Sequence, residues 1–260
     1  MSNPSGAADR RGSAVSRRQR AGGAPAAAAL QQRKALLLHR AAKPLLFIAC
    51  LLPFAWLVYG VVLTTLGHNM LGANPAETLL RATGDWTLRF LCITLAVTPL
   101  RVLLGQPVLL RFRRMLGLFA FFYGVVHFLC YSGFDMNFVL QDIVRDIPKR
   151  PFILVGTSAL LLMTPLALTS FNRAIRMLGA ARWRALHRSV YAVVLLGLLH
   201  FFWMRAAKQN FAEVAVYAAI IALLLGWRIV AWAQRRSNQP GAPMASAGGT
   251  SAPSSSPSTP

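Results

Sequence analysis

The sequence predicts an all-α integral membrane protein, a bundle of six transmembrane helices with both termini in the cytoplasm. Three observations predict it. Of the 260 residues, 55% are hydrophobic and only 13% charged, where a soluble domain carries about 25% charged residues. Apolar runs of about 20 residues recur, each long enough to cross a hydrocarbon core. Basic residues gather in alternate connections, as membrane topology requires. A β-barrel would show short alternating strands, and the sequence has no such pattern. The net charge of +21 therefore predicts a lipid bilayer as partner and no nucleic acid. Cys50, Cys92 and Cys130 lie singly in different apolar runs. They form no metal-binding spacing and read as small core residues.

Residues 1–43 are rich in Ala, Gly, Ser and Arg, a composition that cannot bury enough surface to fold alone. Leu36–Leu38 and His39 suggest a short interfacial helix. Pro44–Leu66 is too long and lacks the cleavage site of a signal peptide, so it reads as an uncleaved first span. Pro44 suits the first helical position, where its missing N–H is not needed. Gly67–Gly84 is a polar connection, and the second span covers Asp85–Leu104, with Arg89 able to snorkel. Gly105–Arg114 carries Arg111, Arg113 and Arg114 and leads to an uncharged third span, Met115–Phe134. Asp135–Arg150 mixes acids and bases. The fourth span, Phe152–Phe171, contains Pro165, which should end or bend it. Asn172–Arg188 is arginine-rich. The fifth and sixth spans are His187–Met204 and Phe211–Trp232. The ordered domain is thus 44–232, and 233–260 has the Ser, Pro, Ala and Gly composition of a disordered tail.

Six spans put both termini on one side. Most of the 28 Lys and Arg fall at the termini and in the 101–114 and 172–188 connections. Glu77, Asp85, Asp135, Asp142, Asp146 and Glu213, six of the seven acids, fall on the other side or at its interface. The positive-inside rule places the basic side in the cytoplasm.

Histidines inside a bilayer are functional candidates, because an unpartnered imidazole there is costly. His200 lies thirteen residues beyond His187, and His127 thirteen beyond Arg114. At about 1.5 Å per residue, each interval is about 20 Å of rise. If the third and fifth spans start level, His127 and His200 share one depth, and His187 and Arg114 share another nearer the inner face. Two facing imidazoles make a bis-histidine site for a b-type haem. They are equally consistent with hydrogen-bonded structural residues or a proton path. His187 lies among arginines at the interface, where it can simply be solvated. His39 and His68 lie in polar or interfacial stretches and are expected to bind nothing. Gly117, Gly124 and Gly197 leave room either for a macrocycle or for close helix packing.

Seven segments together carry a family resemblance. They are TGDWTLRFL (83–91), LAVTPLR (95–101), RRMLGLFAFFYGVVHF (113–128), KRPFILVG (149–156), PLALTS (165–170), RWRALHRSVY (182–191) and LLHFFW (198–203). Over about 44–232 the chain resembles the haem-binding membrane subunit of the bacterial periplasmic protein-methionine-sulfoxide reductase system. That subunit belongs to the wider ferric-reductase-like transmembrane group. The resemblance implies a six-helix haem b core in the bacterial inner membrane and outward electron transfer from the quinone pool or a cytoplasmic flavin reductase. It implies as acceptor a separate periplasmic molybdopterin enzyme that reduces methionine sulfoxide in oxidised proteins. It also implies FMN binding, although no stretch here reads as a flavin motif. His127, His187 and His200 match the family's haem-associated histidines, so all three are candidate iron ligands.

The wider group tends to pair histidines on both haem helices, giving two haems. Here the level partner of His187 is Arg114, which cannot ligate iron but could pair a propionate or a flavin phosphate. The expectation is one haem b, or two if His187 finds an unusual partner. The chain has no cysteine pair for repair chemistry, so catalysis is expected on the partner subunit. A stand-alone ferric reductase is the alternative; it would need glycine-rich nucleotide loops, and 237–260 has none. A transporter or proton-path protein is a third reading, disfavoured by continuous spans and the lack of internal repeats.

Overall fold

The computed structural model describes residues 42–206 and 211–237, the side chain of Arg235 excepted. The basic segment, the expected interfacial helix and His39 lie outside these residues. Among the described residues the fold is entirely helical. Six helices are long and apolar enough to cross a membrane, so the six-span bundle expected from hydropathy is the fold observed.

Helix α1, Ala42–Thr65, turns most of its surface outward, with Leu45, Leu52 and Trp56 exposed. Such residues suit lipid contact. Pro53 interrupts its hydrogen-bond ladder. A side chain from α3 (Leu110–Phe134) repairs the gap. The Tyr123 hydroxyl donates to the Cys50 carbonyl at 2.9 Å and accepts the Phe54 amide at 2.9 Å. An unbroken helix would join those two groups directly. Tyr123 is fully buried and stacks on Phe90, with ring centroids 5.2 Å apart.

Helix α2 runs over Pro75–Leu103, starting ten residues before the span expected at Asp85. Asn74 caps it by accepting the Glu77 amide, and Pro75 occupies its first position. Hydropathy missed this turn because Glu77, Arg81 and Asp85 recur every fourth residue and form one polar stripe. Pro99 lies inside α2 and leaves the Leu95 carbonyl without its usual donor. Arg228 fills that vacancy from α9 (Phe211–Ser237), donating through Nη2 at 2.8 Å.

A 3-10 turn at Pro107–Leu109 leads into α3. Arg111, Arg113 and Arg114 thus ride in the first turns of that helix rather than in a loop. The Asp135–Arg150 connection holds α4, Leu140–Asp146. Asp146 accepts from the Tyr131 hydroxyl at 2.7 Å and from Arg150 Nε at 2.8 Å, tying α3 to the start of α5. Helix α5, Pro151–Leu168, contains Pro165 and ends three residues beyond it.

Two short helices, α6 (Asn172–Leu178) and α7 (Ala180–His187), fold the basic connection, with Gly179 at φ +75° between them. Only glycine takes that conformation freely. Trp183 docks α7 by donating to the Thr169 carbonyl at 2.9 Å. A turn at Arg188 and Ser189 separates α7 from α8, Val190–Ala206. The expected fifth span therefore starts at Val190, with His187 on the preceding helix. Helix α9 continues to Ser237, past the boundary expected at 232. Leu95, Ala120, Tyr123, Val193 and Val194 are fully buried where α2, α3 and α8 meet.

Candidate functional site

The bundle brings His127 on α3 and His200 on α8 together. Their ring centroids are 6.0 Å apart and their planes cross at 80°. Each ring is held in the same way by a neighbouring helix. His127 Nδ1 donates to the Leu80 carbonyl of α2 at 2.8 Å, and His200 Nδ1 donates to the Phe152 carbonyl of α5 at 2.7 Å. A carbonyl only accepts, so these partners assign the proton to Nδ1 and leave each neutral ring a lone pair on Nε2. Metal-binding histidines are commonly oriented by such a second contact.

A glycine lies one turn beyond each accepting carbonyl. A Cβ at Gly84 would stand 3.0 Å from His127 Cε1, and a Cβ at Gly156 would stand 2.8 Å from His200 Nδ1. Each imidazole therefore packs its Nδ1–Cε1 edge closely against bare backbone. The sequence reading missed Gly84, Gly156 and the two carbonyls. The available signal was a glycine in each of the segments TGDW and RPFILVG. Of the glycines it did single out, Gly124 and Gly197 line the cavity beside the histidines, and Gly117 does not.

That cavity measures about 500 Å³ and is walled by α2, α3, α5 and α8. Such a volume falls in the range of about 300–1,000 Å³ typical of cofactor sites. Its deep walls are apolar, with Leu88, Leu91, Leu160 and Val193. Its mouth is charged. Arg81 pairs with Glu77 at 2.6 Å, Arg150 with Asp146 at 2.5 Å, and Arg205 with Glu213 at 2.7 Å and Asp85 at 3.6 Å. The Arg205 side chain is only 14% exposed. At Asp146, the Arg150 hydrogen bond holds the carboxyl below the ordinary carboxylate range.

The residues fit a haem. Two imidazole nitrogens on one metal at about 2 Å each, with half a ring beyond each, put the ring centres about 6 Å apart. Among the described residues, no three His, Cys, Asp or Glu side chains gather as a metal site. Two imidazoles without further protein ligands suit a metal whose other ligands come from a macrocycle.

His187 and Arg114 lie elsewhere. The His187 ring stacks on Trp183 at 3.9 Å, and its Nδ1 donates to the Trp183 carbonyl at 3.1 Å. Its Nε2 is buried without a hydrogen-bond partner. Arg114 donates to Asn172 Oδ1 at 2.7 Å, tying α3 to α6. Arg113 and Arg114 lie close enough to act on the His187 ring. These residues form a second neighbourhood, away from the paired imidazoles and outside the cavity lining.

A family model described as ferric reductase like transmembrane component matches residues 83–198, which hold His127; His200 lies two residues beyond. A protein-methionine-sulfoxide reductase heme-binding subunit of Polaromonas naphthalenivorans is 67% identical over 201 residues, covering 77% of this chain and 90% of the relative. Its counterpart in Bordetella pertussis is 51% identical over 195 residues, 75% of this chain and 91% of the relative. That of Xanthomonas euvesicatoria is 47% identical over 192 residues, 73% and 86%. No solved structure matches the chain. Identity at this level over most of both chains shows that this protein belongs to the family of protein-methionine-sulfoxide reductase heme-binding subunits.

Proposed function

We propose that this chain holds a b-type haem between His127 and His200 and carries electrons across the bacterial inner membrane. The acceptor is a methionine-sulfoxide reductase catalytic subunit, which reduces oxidised methionine in proteins. The single observation that carries this reading is the pair of imidazoles at 6.0 Å, each with Nδ1 committed to a carbonyl. The relatives' names, which specify heme binding and protein-methionine-sulfoxide reductase, support it.

Each residue has a distinct task. Nε2 of His127 and of His200 would hold the iron, and the Leu80 and Phe152 carbonyls fix the two rings. Gly84 and Gly156 let the rings approach the helices. The apolar walls exclude water. Arg81, Arg150 and Arg205, at the mouth, would hold the carboxylates of the macrocycle. When bound, the group supplies one-electron transfer, and the protein's own levers are ligand identity, hydrogen bonding and burial. The charged mouth is the end from which electrons leave. By charge distribution this end faces the periplasm, where a molybdopterin partner would dock. Donor chemistry, quinone or a cytoplasmic flavin reductase, belongs to the opposite end. An FMN site and a second haem at His187 and Arg114 are consistent with that end but have no paired imidazoles to support them.

The test replaces each cavity histidine with Ala and measures haem per chain in purified protein. Loss of haem from both variants, with normal membrane insertion, is expected. Full haem content in either variant contradicts the assignment.

A further inference from the structure

Two buried side-chain nitrogens lack a hydrogen-bond partner among the described residues, His187 Nε2 and Arg228 Nη1. Both stand at the end of the bundle away from the cavity mouth. Arg113 acts electrostatically on both.

Arg228 interrupts an apolar helix. Its Nη2 donates to the Leu95 carbonyl at 2.8 Å and to Thr98 Oγ1 at 3.3 Å. The guanidinium lies over the Tyr191 ring, 5.2 Å from its centroid. These contacts explain Nη2 and one face of the group. They leave Nη1 and the charge uncompensated. Every acidic side chain of the described residues belongs to the mouth end or its helix starts. A guanidinium at membrane depth without an anion is costly.

The missing anion can be specified. Thr98 lies five residues before the end of α2 at Leu103, about 7 Å of rise. The guanidinium therefore meets α2 within two turns of its end. On either side the surface is apolar and open, with Val102 on α2 and Ile229 and Val230 on α9 exposed. Guanidinium groups bind phosphate oxygens well, and basic sites between helices recognise acidic headgroups. We propose that Arg228, assisted by Arg113, forms a phosphate-binding site between α2 and α9. Nη1 donates to a phosphate oxygen while Nη2 keeps its bond to Leu95. The phosphate belongs either to a lipid headgroup or to free phosphate.

The full chain in detergent, observed by native mass spectrometry, tests this. The probes are phosphatidylglycerol, digalactosyldiacylglycerol as a lipid without phosphate, and inorganic phosphate. The wild type should retain one phosphatidylglycerol at least about tenfold more strongly than the galactolipid. Arg228→Gln should lose that preference, because the amide still serves Leu95 but carries no charge. Arg228→Lys should keep most of it. Displacement of the lipid by millimolar inorganic phosphate would assign the site to free phosphate; resistance to it would assign the site to the headgroup. If Arg228→Gln does not fold, Arg113→Gln carries the test, with a severalfold loss expected. The proposal is overturned if the wild type shows no preference for the phospholipid, or if the charge-removing variant that folds keeps it. Haem absorption serves as the fold control, since Arg228 does not line the haem cavity.

Discussion

In the proposed haem site, His127 and His200 could serve as ligands because something else holds their other nitrogen. Each Nδ1 is bound to a carbonyl one turn before a glycine, on a helix that is not its own. The two glycines should differ in tolerance. A methyl at Gly156 would meet His200 Nδ1 at 2.8 Å and Cε1 at 2.9 Å, whereas one at Gly84 would meet His127 Cε1 at 3.0 Å. Overpacking of this kind costs about 1–3 kcal/mol. Gly156→Ala should therefore lower haem affinity about tenfold and Gly84→Ala less, read by titrating haem into the apoprotein. Equal, normal affinity in both would remove the glycines from the site. At the mouth, Arg205→Gln should weaken haem binding about tenfold yet leave binding of the haem dimethyl ester unchanged, because the ester offers no carboxylate. If both ligands weaken alike, Arg205 acts on the fold and not on the carboxylates. Asp146 adds a pH prediction. Its carboxyl is held low by Arg150, so the stabilisation is present above the unfolded value of about 3.9 and lost as pH falls through the folded one. With Arg150 partly exposed, the pair is worth about 0.5–1 kcal/mol. Asp146→Asn should lower the melting temperature by the same amount at pH 5.5 and pH 8; a loss that vanishes at pH 5.5 would contradict this.

At the scale of helices, two prolines are repaired by side chains from other helices. Tyr123 enters the α1 ladder beside Pro53, and Arg228 serves the carbonyl freed by Pro99. A buried group left unsatisfied costs about 1–3 kcal/mol. Tyr123→Phe should destabilise by that amount. Arg228→Ala should cost less in a Pro99→Ala background than alone, since alanine restores the amide that Leu95 lacks. Additive losses in that double-mutant cycle, followed by thermal unfolding, would show that the two residues are not coupled. None of these stitches was visible in the sequence. Apolar periodicity located all six spans, because long runs such as Phe211–Trp232 have no other stable use. It misplaced the start of α2, where Glu77, Arg81 and Asp85 form a polar stripe facing the cavity mouth. It also began α3 late, at Met115 instead of Leu110, because Arg111, Arg113 and Arg114 read as loop although they ride on the helix. The histidine depths followed from helical rise alone. The Leu80 and Phe152 carbonyls did not, since backbone acceptors leave no trace in a sequence and arise only from which helices pack together.

At the scale of the whole molecule, charge separates into two ends. The mouth collects the acids with their paired arginines, and the opposite end collects Arg113, Arg114, His187 and Arg228. The positive-inside rule expects the basic end inside, and on that topology a reporter active only in the periplasm should be silent when fused after Ser237 and active when inserted near Gly72. The reverse pattern would invert the direction of electron flow. The opposed ends suit a protein that takes electrons on one face and delivers them on the other, and the paired imidazoles lie in the cavity that opens at the charged mouth. The most direct measurement is the low-temperature electron paramagnetic resonance spectrum of the oxidised, purified protein. Imidazole planes crossed at 80° would leave two d orbitals of an iron held between them nearly equal in energy. A low-spin ferric signal of the strongly anisotropic kind, lost on replacing either His127 or His200, is expected. A high-spin ferric signal in the wild type, or no haem signal, would contradict it.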